Sequence, residues 1–238
     1  MNSALVPAAI VGGTAVSYVV AMLIGVPALV PFLNVVPALP FMIASLRRGR
    51  VAEAICRMLV WAAALGICAT TISYLGTAEA GRLFLRGEGY RREMFEFLLT
   101  GYGPEGNIRL FLPQHLAHAA VFCALAIATG ALLALPLGAF LMNYMAYYVG
   151  ALGAASAHPW KAMLLAWAPW AVVRIASFVT FGVVLAGPML GRILGFEYRL
   201  RGQTRWIALA AAGLAVDVAL KWALAPSWRE MIRSAAGW

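Results

Sequence analysis

Arg174 has the strongest claim on chemistry in this sequence, because it stands inside a long apolar run. A guanidinium there costs on the order of several kcal/mol unless it faces protein, water or a counter-ion. Two destinations are open to it. It can contact an anion or substrate inside a cavity, or it can be a structural partner of Asp217 or of a backbone carbonyl. Asp217 and Lys221 lie one helical turn apart in the last apolar stretch and can neutralise each other locally. Alternatively, Asp217 pairs with Arg174 across helices while Lys221 extends toward a lipid headgroup. Proton or ion coupling through Asp217 finds no second acidic group within a span.

The remaining polar residues of the apolar runs offer weaker chemistry. His115 and His118 share a helix face at i,i+3 in what reads as the first turn of the fourth span, a pair that could contribute to a metal or haem site. No carboxylate, cysteine or third histidine accompanies them at ligand spacing, so interfacial hydrogen bonding is the expected role, and no metal or cofactor is expected. Asn143 and Tyr147 form a polar stripe with Gly150 beyond it, suited either to lining a cavity or to packing against a neighbouring helix. Asn34 stands among Pro27, Pro31, Pro37 and Pro40, where an unwound segment could touch a solute as in broken-helix transporters. Cys56, Cys68 and Cys123 lie in or beside apolar segments without metal or disulfide spacing. A P-loop, a GxSxG elbow, an HExxH helix and a dinucleotide fingerprint are all absent from the sequence, which points away from an enzyme.

The elements that must carry these residues are set by composition. The 238 residues are 63% hydrophobic and 11% charged, about half the charged share of a soluble domain. Neither Met1 to Leu46 nor Leu110 to Trp160 contains Asp, Glu, Lys or Arg. A helix crossing the hydrocarbon needs about 20 apolar residues, so each run is long enough for two crossings. Helices are required because lipid cannot satisfy backbone amides. The sequence therefore predicts an all-α, polytopic transmembrane bundle of six or seven spans forming one integral membrane domain. The formal charge of +9 resides in short clusters between apolar runs, which favours membrane topology over nucleic-acid binding.

Spans are expected near residues 4–25, 26–46, 58–76, 113–134, 136–154, 162–190 and 206–225. The second carries the four prolines and is either a broken span or a re-entrant hairpin. Glu53 and Arg57 stand at i,i+4 spacing just before the third. The sixth is longer than a bilayer requires and should tilt or bend at Pro169. Residues 77–112 form a polar connector in which Leu83, Tyr90, Met94, Phe97 and Leu98 recur at helical spacing, as in one or two helices lying flat at the interface. The N-terminal segment lacks a signal-peptide pattern and should be retained.

The basic clusters within 47–57 and 191–205 fall on one side with these spans, so both loops should be cytoplasmic, with 77–112 opposite and the whole in the cell membrane. Arg229 and Arg233 in the tail run against that rule. From Asn107 to Phe196, paired spans around Asn143, a short turn and a long span containing Arg174 resemble the layout of stage II sporulation protein M-like membrane proteins. The likeness is one of arrangement and implies no residue roles. Two functions fit these features. One is a non-catalytic subunit or scaffold of a larger membrane complex, partnered by the lipid bilayer and by other membrane subunits or a second copy. The other is a small permease component with a polar site around Arg174 and Asp217.

Overall fold

The computed structural model describes residues 5–238; Ala4, the expected start of the first span, lies outside them. Among the described residues the chain is helical throughout, without strands, and seven helical segments are long and apolar enough to cross a membrane. The first is α1 (Leu5–Ile24). The second is broken into α2 (Val30–Val35) and α3 (Leu39–Arg47) after a short 3-10 turn at Pro27–Leu29. Asn34 meets Ser17 of α1, whereas Phe41 and Ser45, further along, meet Arg57. The segment thus crosses the bundle as a broken helix and does not double back.

The third helix, α4 (Val51–Leu75), starts earlier than the expected 58–76 and takes Glu53 and Arg57 into its first turns, where they pair. The connector forms two helices, α5 (Thr77–Leu83) and α6 (Gly87–Thr100), which bury Leu83, Met94, Phe97 and Leu98. Next comes α7 (Ile108–Thr129), capped at its start by the Asn107 side chain and at its end by Gly130 in the left-handed region. That glycine moves the expected division from Leu135 and Pro136 back to residue 130. Pro136 instead lies in the first turn of α8 (Ala134–Ala154), where its missing N–H breaks no helical bond.

The expected sixth span, 162–190, is two helices. α9 (Pro159–Ala166) ends at Trp167, and α10 (Pro169–Leu194) begins afresh with its proline in the first turn. Pro169 therefore starts a helix, where it is tolerated, instead of bending one. The last helix, α11 (Thr204–Ala236), runs through Pro226 well beyond the expected end at residue 225. Its final turns cover α9 and α6, burying Ala225, Ile232, Ala235 and Ala236 together with Phe97, Leu98 and Met163.

Two close approaches fix the core. Glycine 150 lets α8 run against α4 so tightly that a Cβ there would lie 2.5 Å from the Thr70 carbonyl oxygen and 2.7 Å from the Tyr74 amide nitrogen. Backbone cannot swing aside as a flexible side chain can. At the other end of the bundle, the Tyr198 ring lies over Gly187 and its hydroxyl donates to the Val184 carbonyl at 3.0 Å. Elsewhere, Gly13 packs on Pro37 and Gly182 on Phe122, while Gly12 faces open space.

Gly150→Ala should therefore destabilise the detergent-solubilised protein by about 1–3 kcal/mol through overpacking. Gly12→Ala, in the same experiment, should be neutral or stabilising by about 0.5–1 kcal/mol, since it only removes glycine's entropic cost in a helix. Thermal unfolding of both variants beside the parent chain checks the contrast.

Candidate functional site

Arg174 occupies the second turn of α10, not the middle of a span, because that helix begins at Pro169. A cation there faces the positive end of the helix dipole, so it needs a carboxylate more than it would elsewhere. Asp217 of α11 supplies one. The Arg174 Nε lies 3.1 and 3.2 Å from the two Asp217 oxygens, and Nη2 donates to Oδ1 at 3.1 Å. Asp217 is fully buried, whereas the Arg174 side chain retains 24% exposure. The carboxylate is thus sealed behind the guanidinium, and the guanidinium reaches open space.

Lys221 does not pair with Asp217. One turn further along α11, its ammonium lies 2.9 Å from Glu105, in the turn between α6 and α7, and 4.0 Å from the centre of the Phe111 ring. His115 and His118 lie in the third turn of α7, deeper than the first turn, because α7 starts at Ile108. His115 Nε2 is 3.3 Å from Asp217 Oδ2, in an alignment that makes no hydrogen bond. No group of three or more histidine, cysteine, aspartate or glutamate side chains placed to hold a metal occurs among the described residues.

Arg174, Lys221, His115 and His118 line one cavity of about 140 Å³ enclosed by α7, α8, α10 and α11 and roofed by α6. The residues from the roof and its neighbours include Arg86, Tyr90, Glu93, Glu105 and Tyr144, beside the apolar Met94, Phe111 and Met145. The far end is apolar, with Trp61, Phe122, Leu135, Phe178 and Val179. A smaller chamber of about 30 Å³ adjoins it past Tyr90, Glu105 and Arg174 and is walled by Trp170, Trp228 and Tyr148. Tyr90 belongs to the periodic face of the connector, whereas Tyr144, Glu93 and Glu105 carry no periodic signature in the sequence. They reach the site because the connector folds over it.

Asn34, Asn143 and Tyr147 belong elsewhere. Asn143 donates to the Asn34 side-chain oxygen at 3.0 Å and accepts from the Tyr18 hydroxyl at 2.5 Å, while Asn34 donates to Ser17 at 2.9 Å. The Trp61 indole closes this knot by donating to the Asn34 carbonyl at 2.7 Å. All these groups are buried and tie α1, α2, α4 and α8 together; of them only the Trp61 ring also borders the cavity. Tyr147 points the other way along α8 and donates its hydroxyl to Glu88 of α6.

Three polar contacts hold the roof. Glu88 in the first turn of α6 accepts from Tyr147 and pairs with Arg91 at 2.7 Å, a carboxylate at the positive end of the helix dipole. At the other end, Arg229 of α11 donates to the carbonyls of Phe97, Leu98 and Leu99 at 2.9–3.0 Å. Lys221–Glu105 secures the turn that follows. The Tyr147 hydroxyl, and next the Arg91 guanidinium, hold the Glu88 carboxyl below the usual carboxylate range.

Two outcomes follow. Asp217→Asn should destabilise the protein by about 3–5 kcal/mol, since it strands a largely buried guanidinium. Replacing the pair together, as Arg174→Met with Asp217→Leu, should recover most of that loss in thermal unfolding. A carboxylate with a folded pKa below its unfolded value of about 4.3 contributes stability above that value, and the contribution is lost as pH falls through the folded pKa. Amide hydrogen exchange in α6, taken relative to the intrinsic rate at each pH, should accordingly be slow and constant from neutral pH down to the carboxylate range. In Glu88→Gln it should be faster at neutral pH. No family model, no curated protein and no solved structure matches this chain, so the likeness of layout from Asn107 to Phe196 assigns no family.

Proposed function

We propose that this chain is a non-catalytic integral membrane protein that takes up a small ligand in the Arg174 cavity, as a component of a permease. The observation that carries the reading is the exposure of Arg174. A guanidinium kept only to lock two helices needs no open space, yet this one is paired on its inner side and faces a cavity on its outer side. A sealed scaffold would have closed it. Binding energy for a ligand would come from donors already held in place by Asp217, so little is lost in ordering them.

The seven helices are read as seven crossings of the cell membrane. Alternation then puts the basic loops near Arg47 and near Arg199 at one end, taken as cytoplasmic, and the connector, α9 and the end of α11 at the other. The cavity's polar end therefore faces the non-cytoplasmic interface. Arg229 and Arg233, which run against the basic-loop rule, are engaged locally: Arg229 caps α6, and both lie against Glu230. Cations committed to protein partners weigh less in setting orientation than free ones.

The test is solvent access. In a chain with Cys56, Cys68 and Cys123 replaced by serine, a cysteine at His118 should react with a membrane-impermeant maleimide added from the connector side. A cysteine at Ser177, which is buried against Gly213, should stay protected. Equal protection of the two positions would mean a sealed bundle and return the scaffold reading.

A further inference from the structure

The size of the cavity bounds its occupant. At about 140 Å³ it is close to the engineered cavity of about 150 Å³ that holds one benzene ring, so a ligand seated inside has about six to nine non-hydrogen atoms. The way in is polar. Of the lining residues, Arg86, Glu93 and Gln114 are also exposed on the surface, and the Arg86 and Glu93 side chains, 3.9 Å apart, are 61% and 49% exposed. Charged groups at a rim are hydrated, so a solute that passes them comes from water. The occupant is a small water-soluble molecule.

Arg174, Glu105 and Tyr90 line both this cavity and the smaller chamber, so they stand together where the two adjoin. Pairing at that junction leaves one hydrogen-bonding edge of each sign unused. Arg174 commits Nε and Nη2 to Asp217, and its Nη1 has no hydrogen-bond partner among the described residues. Glu105 gives Oε2 to Lys221 at 2.9 Å, and its Oε1 has none either. The charges of Arg174, Lys221, Asp217 and Glu105 sum to zero. A solute with one net charge would leave that set unbalanced in a poorly hydrated place. A solute carrying both signs can add a carboxylate to Nη1 and an ammonium to Oε1 without breaking either pair. The Tyr90 and Tyr144 rings, 4.7 Å apart, supply aromatic surface beside the ammonium.

Phe122, Leu135, Phe178 and Val179 line the same cavity and offer a polar group no partner, so the rest of the solute is apolar. With so few atoms to hold two charges and an apolar part, the charges sit on neighbouring carbons. We infer that the ligand is a small α-amino acid with a compact apolar side chain, about the size of valine, its carboxylate on Arg174 and its ammonium on Glu105. This rests on the ligand-cavity reading above and names its substrate class.

Binding to the full chain in detergent can be followed by thermal unfolding, which a ligand of the folded state shifts upward as its concentration passes its dissociation constant. At constant ionic strength valine should raise the unfolding temperature. Alanine, with a shorter apolar side chain, should need about tenfold more to match it. Isovalerate and isobutylamine, which each keep one charge of valine, should also be about tenfold weaker, the equivalent of one charge-assisted hydrogen bond. Tryptophan, too bulky for the cavity, should have no effect. Arg174→Lys keeps a cation for Asp217 but has no second edge, so it should weaken valine about tenfold and leave isobutylamine unchanged, which also shows that the variant folds. Isovalerate or isobutylamine as strong as valine would overturn the two-charge head, and alanine as strong as valine would overturn the apolar side chain. No shift with any amino acid, with His118→Cys reactive to maleimide, would leave a solute cavity and overturn the amino acid. No shift with that cysteine protected would remove the cavity reading as well.

Discussion

An ion pair between Arg174 and Asp217 is the constraint on which the rest of this structure turns. A carboxylate with no exposure cannot be hydrated, so it must be matched from a neighbouring helix, and that match fixes the register of α10 against α11. The small-residue contact of Gly213 on Ser177, one turn away, is possible only in that register. Everything α11 does afterwards follows from its direction. Residues 217, 221, 225 and 229 recur every four positions and so share one face. In order along that face they meet Arg174, Glu105, the packed surface of α9 and α6, and the free carbonyls ending α6. One helical stripe thus anchors the site, its roof and the helix that forms the roof.

A second buried polar group does a different job. At the break between α2 and α3, Pro37 has no N–H to give, and the Ala38 amide turns to the Val35 carbonyl at 3.1 Å. The Asn34 carbonyl is left without its usual helical donor, and the Trp61 indole takes that place. Hydrogen bonds between helices in lipid contribute only about 0.6 kcal/mol on average. Their weight lies in the alternative, since a stranded amide or carbonyl in hydrocarbon costs several times more. The Asn34–Asn143 knot therefore specifies one arrangement of four helices more than it strengthens them. Asn143 and Tyr144 are about 100° apart around α8, so adjacent faces of the same helix carry the knot and a wall of the cavity.

The parts legible in the sequence were those that lipid imposes locally. Uninterrupted apolar runs located the helices, and the alternation of charge within 77–112 located the amphipathic connector. Local rules could not decide what a proline does without knowing where the helix starts. Pro169 and Pro136 turned out to lie in first turns and Pro226 inside a helix, which moved Arg174 toward one end of its span and extended α11 to Ala236. Pairings between distant segments were beyond periodicity altogether. Lys221 had an acceptable partner at i−4 in Asp217, and the residue that takes it, Glu105, sits in a glycine-rich turn with no distinguishing spacing. Taken singly, Asn34 reads as a solute contact and Asn143 as either a cavity or a packing residue; together they satisfy one another.

The cavity's internal neutrality has a consequence for how tightly it can hold anything. Arg174, Lys221 and Arg86 are each already paired with a carboxylate, so a ligand that draws them away exchanges one set of charge-assisted bonds for another, and the net gain is the difference between two similar quantities. Strong retention would then have to come from the apolar foot, where burial is worth about 25 cal/mol for each Å² removed from the ligand's alternative solvent. For a water-soluble solute that alternative is water, but such a solute has little apolar surface to place there. For a lipid the alternative is the bilayer, which is as apolar as the foot itself, so that term nearly vanishes too. A site balanced at both ends selects by fit and charge pattern while holding its occupant weakly. Weak, selective holding suits a ligand that must leave again, which is the requirement a passage has and a permanent structural lipid does not.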